Sequence, residues 1–323
     1  MGYVAGETIL DDEFNVFVAS SSDPYGFNHF AGTGATVYGL GQPAIPTVAG
    51  GTTTVAAAQW NSLLAGLDSI ANHTNDTMTA RTAVTAGDTI AIKSAVAADL
   101  ATLAASVAGG SVNATAISVG SELQSSRASG RFAGSHIVEH TVTFANANNM
   151  RFFFNAGGKI RVNLTRVANG GSSATSKDDS VDEMITAMGD FDIASVASTR
   201  SGTTETLTTD GLAIGFQDVT TSYQTVFLLT QANGTYTSMT LKGEIKGNAT
   251  AGSTTNVTIK MSLTDADSGD ILYTDGNVSS VDQFENFIGV TDFATKLILP
   301  TTAQGLDPVY TLSGSAETSN TTA

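Results

Sequence analysis

From about residue 116 onward, apolar residues recur at every second position, and this alternation decides the class of fold open to the chain. Ile160, Val162 and Leu164 alternate with Arg161, Asn163 and Thr165. Met239, Leu241, Gly243 and Ile245 alternate with Thr240, Lys242 and Glu244, and Val257, Ile259, Met261 and Leu263 with Thr258, Lys260 and Ser262. Successive side chains of a strand point to opposite faces, so each run buries one face and wets the other. Gly157-Gly158, between Arg151–Asn155 and Lys159–Val167, reads as a tight strand–turn–strand hairpin, and Gly247–Thr254 as a looser one. A short helix is expected at Ser180–Met188, with Ser180 and Glu183 as a capping box and Gly189 as its stop. The fold class is therefore mainly β: an antiparallel β-sandwich or jelly-roll-like body over 116–310, either whole or parted into two sub-domains near residue 190. Residues 311–323 are rich in Ser and Thr and read as a flexible tail.

Upstream the period is helical. Trp60, Leu63, Leu64, Leu67, Ile70 and Ala71 fall at i, i+3, i+4, i+7, i+10 and i+11, the stripe of an amphipathic helix. A second helix is expected from Asp88 to Gly109-Gly110, with the seam Val96, Leu100, Leu103 and Val107. Spacings of four, three and four are those of helix–helix packing, and the surrounding alanines permit close approach. Residues 51–115 thus form a helical hairpin, packed within the chain or between subunits. Residues 1–50 interleave Gly and Pro with Tyr3, Phe14, Phe17, Tyr25, Phe27, Phe30 and Tyr38. That mixture reads as an extended arm whose aromatics lie on another surface.

Charge narrows the partners. Lys and Arg total 14 against 30 Asp and Glu, a net of −16, and charged residues make up only 14% of the chain, against roughly 25% in ordinary soluble domains. Nucleic-acid and acidic-membrane binding need clustered basic residues, so neither partner is expected. With no cysteine, disulfides and thiolate chemistry are excluded. Met1–Val18 lacks a basic stretch leading into an apolar one, so a conventional secretion signal is not expected.

Few motifs carry chemistry. His136-Ile-Val-Glu139-His140 matches H-x-x-E-H, a zinc pattern that works only on a helix. Here β-branched residues surround it, and on a strand the two histidines would lie about 13 Å apart with Glu139 on the opposite face. Asp265, Asp267 and Asp270 alternate like a calcium loop but lack its closing glutamate, and the same residue types make ordinary turns. No catalytic residue, cofactor or assured metal site is expected.

Three stretches, Gly2–Val18, Val55–Asn75 and Asn149–Val162 (NMRFFFNAGGKIRV), resemble virion structural proteins of tailed phages, especially contractile-tailed marine cyanophages. The resemblance implies a virion component without enzymatic activity, associated with tail, neck or fibre. It would act through copies of itself and through other virion tail, neck or head proteins. A closed homo-oligomer is expected, a trimer ahead of other symmetric assemblies. The interface candidates are the seven aromatics of the arm and the seam Val96, Leu100, Leu103 and Val107. Two other roles fit the same pattern: a capsid decoration or cement protein, and a carbohydrate-binding tail tip using tyrosines such as Tyr223, Tyr236 and Tyr273.

Overall fold

The computed structural model describes residues 11–22, 25–31, 44–50, 55–86, 93–109, 118–126, 131–132, 134–167, 176–204, 206–231, 237–250, 253–266, 287–288, 290–299 and 310–320. The chain divides into two compact units. One comprises Met1–Ser118, Asn148–Gly158 and Leu299–Pro308; the other comprises Val119–Ala147, Lys159–Ile298 and Val309–Ala323.

The first unit is helical: α1 (Asp11–Ala19), α2 (Phe27–Ala31), α3 (Ala57–Thr74), α4 (Lys93–Ala108) and α5 (Ala147–Asn155). The stripe predicted for α3 is fully buried, from Trp60 to Ala71, and so is the α4 seam of Val96, Leu100, Leu103 and Val107. Asn75, left-handed at φ 62°, ends α3. The expected extended arm is corrected: over its described residues it contains α1 and α2, and Phe14, Phe17 and Phe27 are buried in the same core as Trp60. Phe14, Phe17 and Val18 fall at i, i+3 and i+4, a stripe too short to stand out in the sequence.

Three asparagine side chains hold the non-helical connections of this unit. Asn15 donates to the Val48 carbonyl at 2.9 Å and accepts from the Val48 amide at 2.8 Å. Asn28 does the same with Ile45, at 2.9 Å in both directions. Asn61 repeats it with Val84, at 3.0 and 2.9 Å. A carboxamide carries one acceptor and two donors, so it can pair with a single residue as a neighbouring strand would. Each clamp satisfies backbone groups that no ladder reaches, and two of the clamped residues, Ile45 and Val48, enter the core.

The hairpin expected at 151–167 is also corrected. Arg151–Asn155 belongs to α5, where Met150, Phe153 and Phe154 are buried at i, i+3 and i+4. Gly157, at φ 89°, ends the helix. Its amide bonds the Phe154 carbonyl at 3.0 Å, and the Gly158 amide bonds the Phe153 carbonyl at 2.8 Å, the paired bonds of a Schellman motif. The double glycine therefore closes a helix rather than turning a hairpin.

The second unit is the expected β-sandwich. Its strands are β1 (Ser118–Ser126), β2 (Arg131–Phe132), β3 (Gly134–Phe144), β4 (Lys159–Val167), β5 (Phe191–Ile193), β6 (Ser198–Arg200), β7 (Leu207–Asp210), β8 (Gln224–Thr230), β9 (Met239–Gly247), β10 (Asn256–Asp265), β11 (Phe287–Ile288), β12 (Val290–Leu299) and β13 (Tyr310–Asn320). A five-stranded sheet runs β1-β12-β4-β5-β6, a six-stranded sheet runs β13-β3-β10-β9-β8-β7, and β11 and β2 form a small ribbon. The alternation read from the sequence is the observed burial: β10 and β3 each bury every second residue along their length. Phe191 of one sheet meets Phe227 of the other edge-on, with ring centroids 5.0 Å apart. Phe227 also lies over Gly243, its partner on β9, where a Cβ would come within 2.5 Å of the ring.

Helix α6 (Ser176–Met188) begins four residues before the expected start, so Ser180 lies inside it rather than capping it; Gly189, at φ 59°, stops it as predicted. No boundary falls near residue 190, because β5 pairs directly with β4 within one unit. The expected tail is corrected as well: Tyr310–Asn320 is strand β13, registered against β3 over its whole length.

Candidate functional site

Most of the side chains singled out in the sequence are spent on holding the fold. In the helical unit, Phe14 and Phe17 meet Trp60 edge-on at 5.6 and 6.0 Å. Phe27 lies against Gly66 so closely that a Cβ there would come within 2.6 Å of the ring. Tyr25, half-buried, stacks on His29 at 4.0 Å and 12°, and burial lowers the His29 pKa. Phe14, Phe17, Phe27, Val96, Leu100, Leu103 and Val107 thus bury within the chain's own helical core and present no surface to a partner. Tyr3, Tyr38 and the Phe30 side chain lie outside the described residues.

The H-x-x-E-H segment is strand β3. His136 and His140 share the inner face of the sandwich and are buried, while Glu139 lies on the outer face. The His136 Nδ1 pairs with the Thr291 hydroxyl at 2.9 Å. The His140 Nδ1 pairs with the Thr295 hydroxyl at 2.8 Å, and its Nε2 with the Ser125 hydroxyl at 2.8 Å. The four-residue spacing of the histidines matches the four-residue spacing of the threonines on β12, so the pairs join one sheet to the other twice. Hydroxyls donate or accept as required, so a neutral His140, paired at both nitrogens, is satisfied in either tautomer. Burial pushes the His140 pKa down to about 4.

Outer-face residues of the six-stranded sheet form a polar network that spacing alone did not reveal. The Tyr223 hydroxyl donates to Glu139 at 2.5 Å. Lys246 and Lys260 lie over the Tyr223 ring, 4.1 and 5.0 Å from its centroid. Lys260 sits between Glu139 and Glu244 in the register, and Glu244 also accepts from Lys242 at 2.7 Å. Burial, then the Glu139 bond, raises the Tyr223 pKa. Burial would raise that of Glu244, but the bond from Lys242 and the charges of Lys242 and Lys260 together lower it. Two ammonium groups and a carboxylate already engage Tyr223, which disfavours it as a sugar-stacking platform. Tyr236 and Tyr273 lie outside the described residues.

On the five-stranded sheet, Arg161 grips its cross-strand partner Asp192 with two bonds of 2.7 and 2.8 Å and reaches Asp190 at 2.8 Å. The Asp192 bond raises the Arg161 pKa against the effect of burial. Arg166 is likewise held by Asp182 and Asp178 of α6. Of the calcium candidates, Asp265 is the buried last residue of β10, whereas Asp267 and Asp270 lie outside the described residues. Among the described residues no group of three or more His, Asp or Glu side chains could hold a metal ion, and no helix is long and apolar enough to cross a membrane.

No family model, curated protein or solved structure matches the chain.

Proposed function

We propose that this protein is a non-enzymatic structural component of a tailed-phage virion, associated with tail, neck or fibre, and that it acts by self-assembly and by docking to other virion proteins. One observation carries the non-enzymatic part. The side chains with the most chemical potential, His136 and His140, are consumed in joining two sheets, and Trp60 and the Phe153–Phe154 pair are interior residues. The virion part is supported by the resemblance at Gly2–Val18, Val55–Asn75 and Asn149–Val162. In the last of these, FFFNAGG reads as a helix end and its closing turn.

The test is localisation on purified phage particles, by mass spectrometry and by antibody labelling in the electron microscope. The expected result is a fixed copy number per particle, with label on the tail or neck. Label spread over the head would replace this placement with the decoration role. Absence from purified particles, with the chain recovered only from the soluble lysate, would overturn the reading.

A further inference from the structure

The two sides of the sandwich are built differently. On one side the edge strands are β6, of three residues, and β7, of four residues with a break in register. The segment following β7 covers β6: the Ser198 amide donates to the Leu212 carbonyl at 2.7 Å and the Ser198 hydroxyl to the Ile214 carbonyl at 2.6 Å. Short, bulged and covered edges are how sheets avoid pairing with other chains. The opposite side has none of these features. Its edge strands are β1, of nine residues, and β13, of eleven, the latter in unbroken register with β3. Neither contains proline or lysine, and among the described residues nothing pairs with their outer edges.

The side chains at this edge are also incompletely covered. Val119, which shares a strand face with Leu123 and Ser125, is 64% exposed. Leu123 and Leu312 are half-buried at the rim of the core. Charge selects the partner. On a chain of net −16, the two strands together carry only Glu122 and Glu317, and Lys296 lies 3.4 Å from Glu122. Copies of an acidic chain repel one another; along this side, with two carboxylates and Lys296 beside one of them, that repulsion is small.

We propose that the β1–β13 side of the sandwich binds a second copy of this chain, strand against like strand and antiparallel, so that both sheets continue across one two-fold axis. The axis stands normal to the layers, which pairs β13 with β13 and β1 with β1 at once and leaves a self-complementary contact. The outward amides and carbonyls of both edges, which no described strand pairs, then complete their ladders, and Val119 and Leu312 are covered. This inference rests on the self-assembly part of the proposed function and names the surface that performs it.

The test is the mass of the full-length chain by analytical ultracentrifugation over a concentration series, for the wild type, for V119K/S313K and for the opposite-edge control T209K. The expected result is a dimer, or a larger assembly with an even number of chains, for wild type and control. Charges on the edge should weaken the contact by more than about tenfold, while the variant unfolds as the wild type does at concentrations where both are monomeric. Hydrogen exchange on the wild type gives a second readout that needs no variant: β1 and β13 amides should become protected as concentration rises. A wild type that stays monomeric, or β1 and β13 amides whose exchange ignores concentration, would overturn the proposal. A trimer indifferent to V119K/S313K would overturn it while leaving self-assembly intact, and presence on phage particles is decided separately by labelling.

Discussion

His140 on β3 and Thr295 on β12 share a 2.8 Å hydrogen bond across the interior of the sandwich, between residues 155 apart in the chain. The buried ring is held neutral, because its two nitrogens meet the hydroxyls of Thr295 and Ser125 rather than a carboxylate. Charging the ring there would bury an ion without a counter-ion.

Acid should therefore loosen the sandwich. The folded pKa of His140 is depressed from 6.5 to about 4, so between those values the unfolded chain binds the extra proton. Stability from this group is complete above pH 6.5 and falls away as pH drops towards 4, by on the order of 3 kcal/mol. Urea titrations across this window should show the slope, and His140→Gln should flatten it. An unchanged slope in that variant would remove His140 as its source.

The asparagine clamps predict an unusual ranking of substitutions. Asn15→Ala leaves the Val48 amide and carbonyl without their partner and should cost about 1–3 kcal/mol. Asn15→Asp keeps the acceptor, loses the donor and sets a carboxylate oxygen against the Val48 carbonyl. It should be at least as destabilising at neutral pH, measured as midpoint shifts at constant m-value.

Gly66→Ala sets two effects against each other. Alanine favours the helix by about 1 kcal/mol. The new methyl would lie 2.6 Å from the buried Phe27 ring, and overpacking of that kind costs about 1–3 kcal/mol. The clash should win, giving a net loss, and Phe27→Leu in the same chain should recover part of it.

Tyr223 should resist ionisation. Its hydroxyl is held by Glu139, and ionisation would place two anions 2.5 Å apart. Spectrophotometric alkaline titration of the wild type minus Tyr223→Phe should show a component shifted above the ordinary tyrosine range. Glu139→Gln should bring it down.

How much of this was legible depended on local periodicity. The strands of the sandwich core and the α3 stripe were readable because each repeats its period over several residues. Three features were not. The run Phe152–Phe154 satisfies a buried strand and a helix equally, and only the placement of Met150 and the closing turn at Gly157 decide for α5. Strand β13 gives little signal: its described inward positions include Gly314, and Ser and Thr dominate its sequence, so the segment resembles a tail. The clamps join residues 17 to 33 positions apart and the Tyr223–Glu139 bond joins residues 84 apart, separations that no local window on the sequence contains. The His–Thr joints did leave a trace, in the matching four-residue spacings of His136/His140 and Thr291/Thr295.

The placement of β3 also sets a timetable. Its two neighbours in the sheet, β10 and β13, and its cross-sheet partner β12 all lie far downstream. At about 5–20 residues per second, the ribosome needs roughly 8–31 s to make the 155 residues separating His140 from Thr295. Until β10 has been made β3 has neither of its sheet neighbours, and α5, which follows it directly, belongs to the other unit. The nascent chain thus carries β3 without its sheet neighbours for much of that interval, so slow translation or a high growth temperature should lower the yield of folded protein before either alters the stability of the finished molecule.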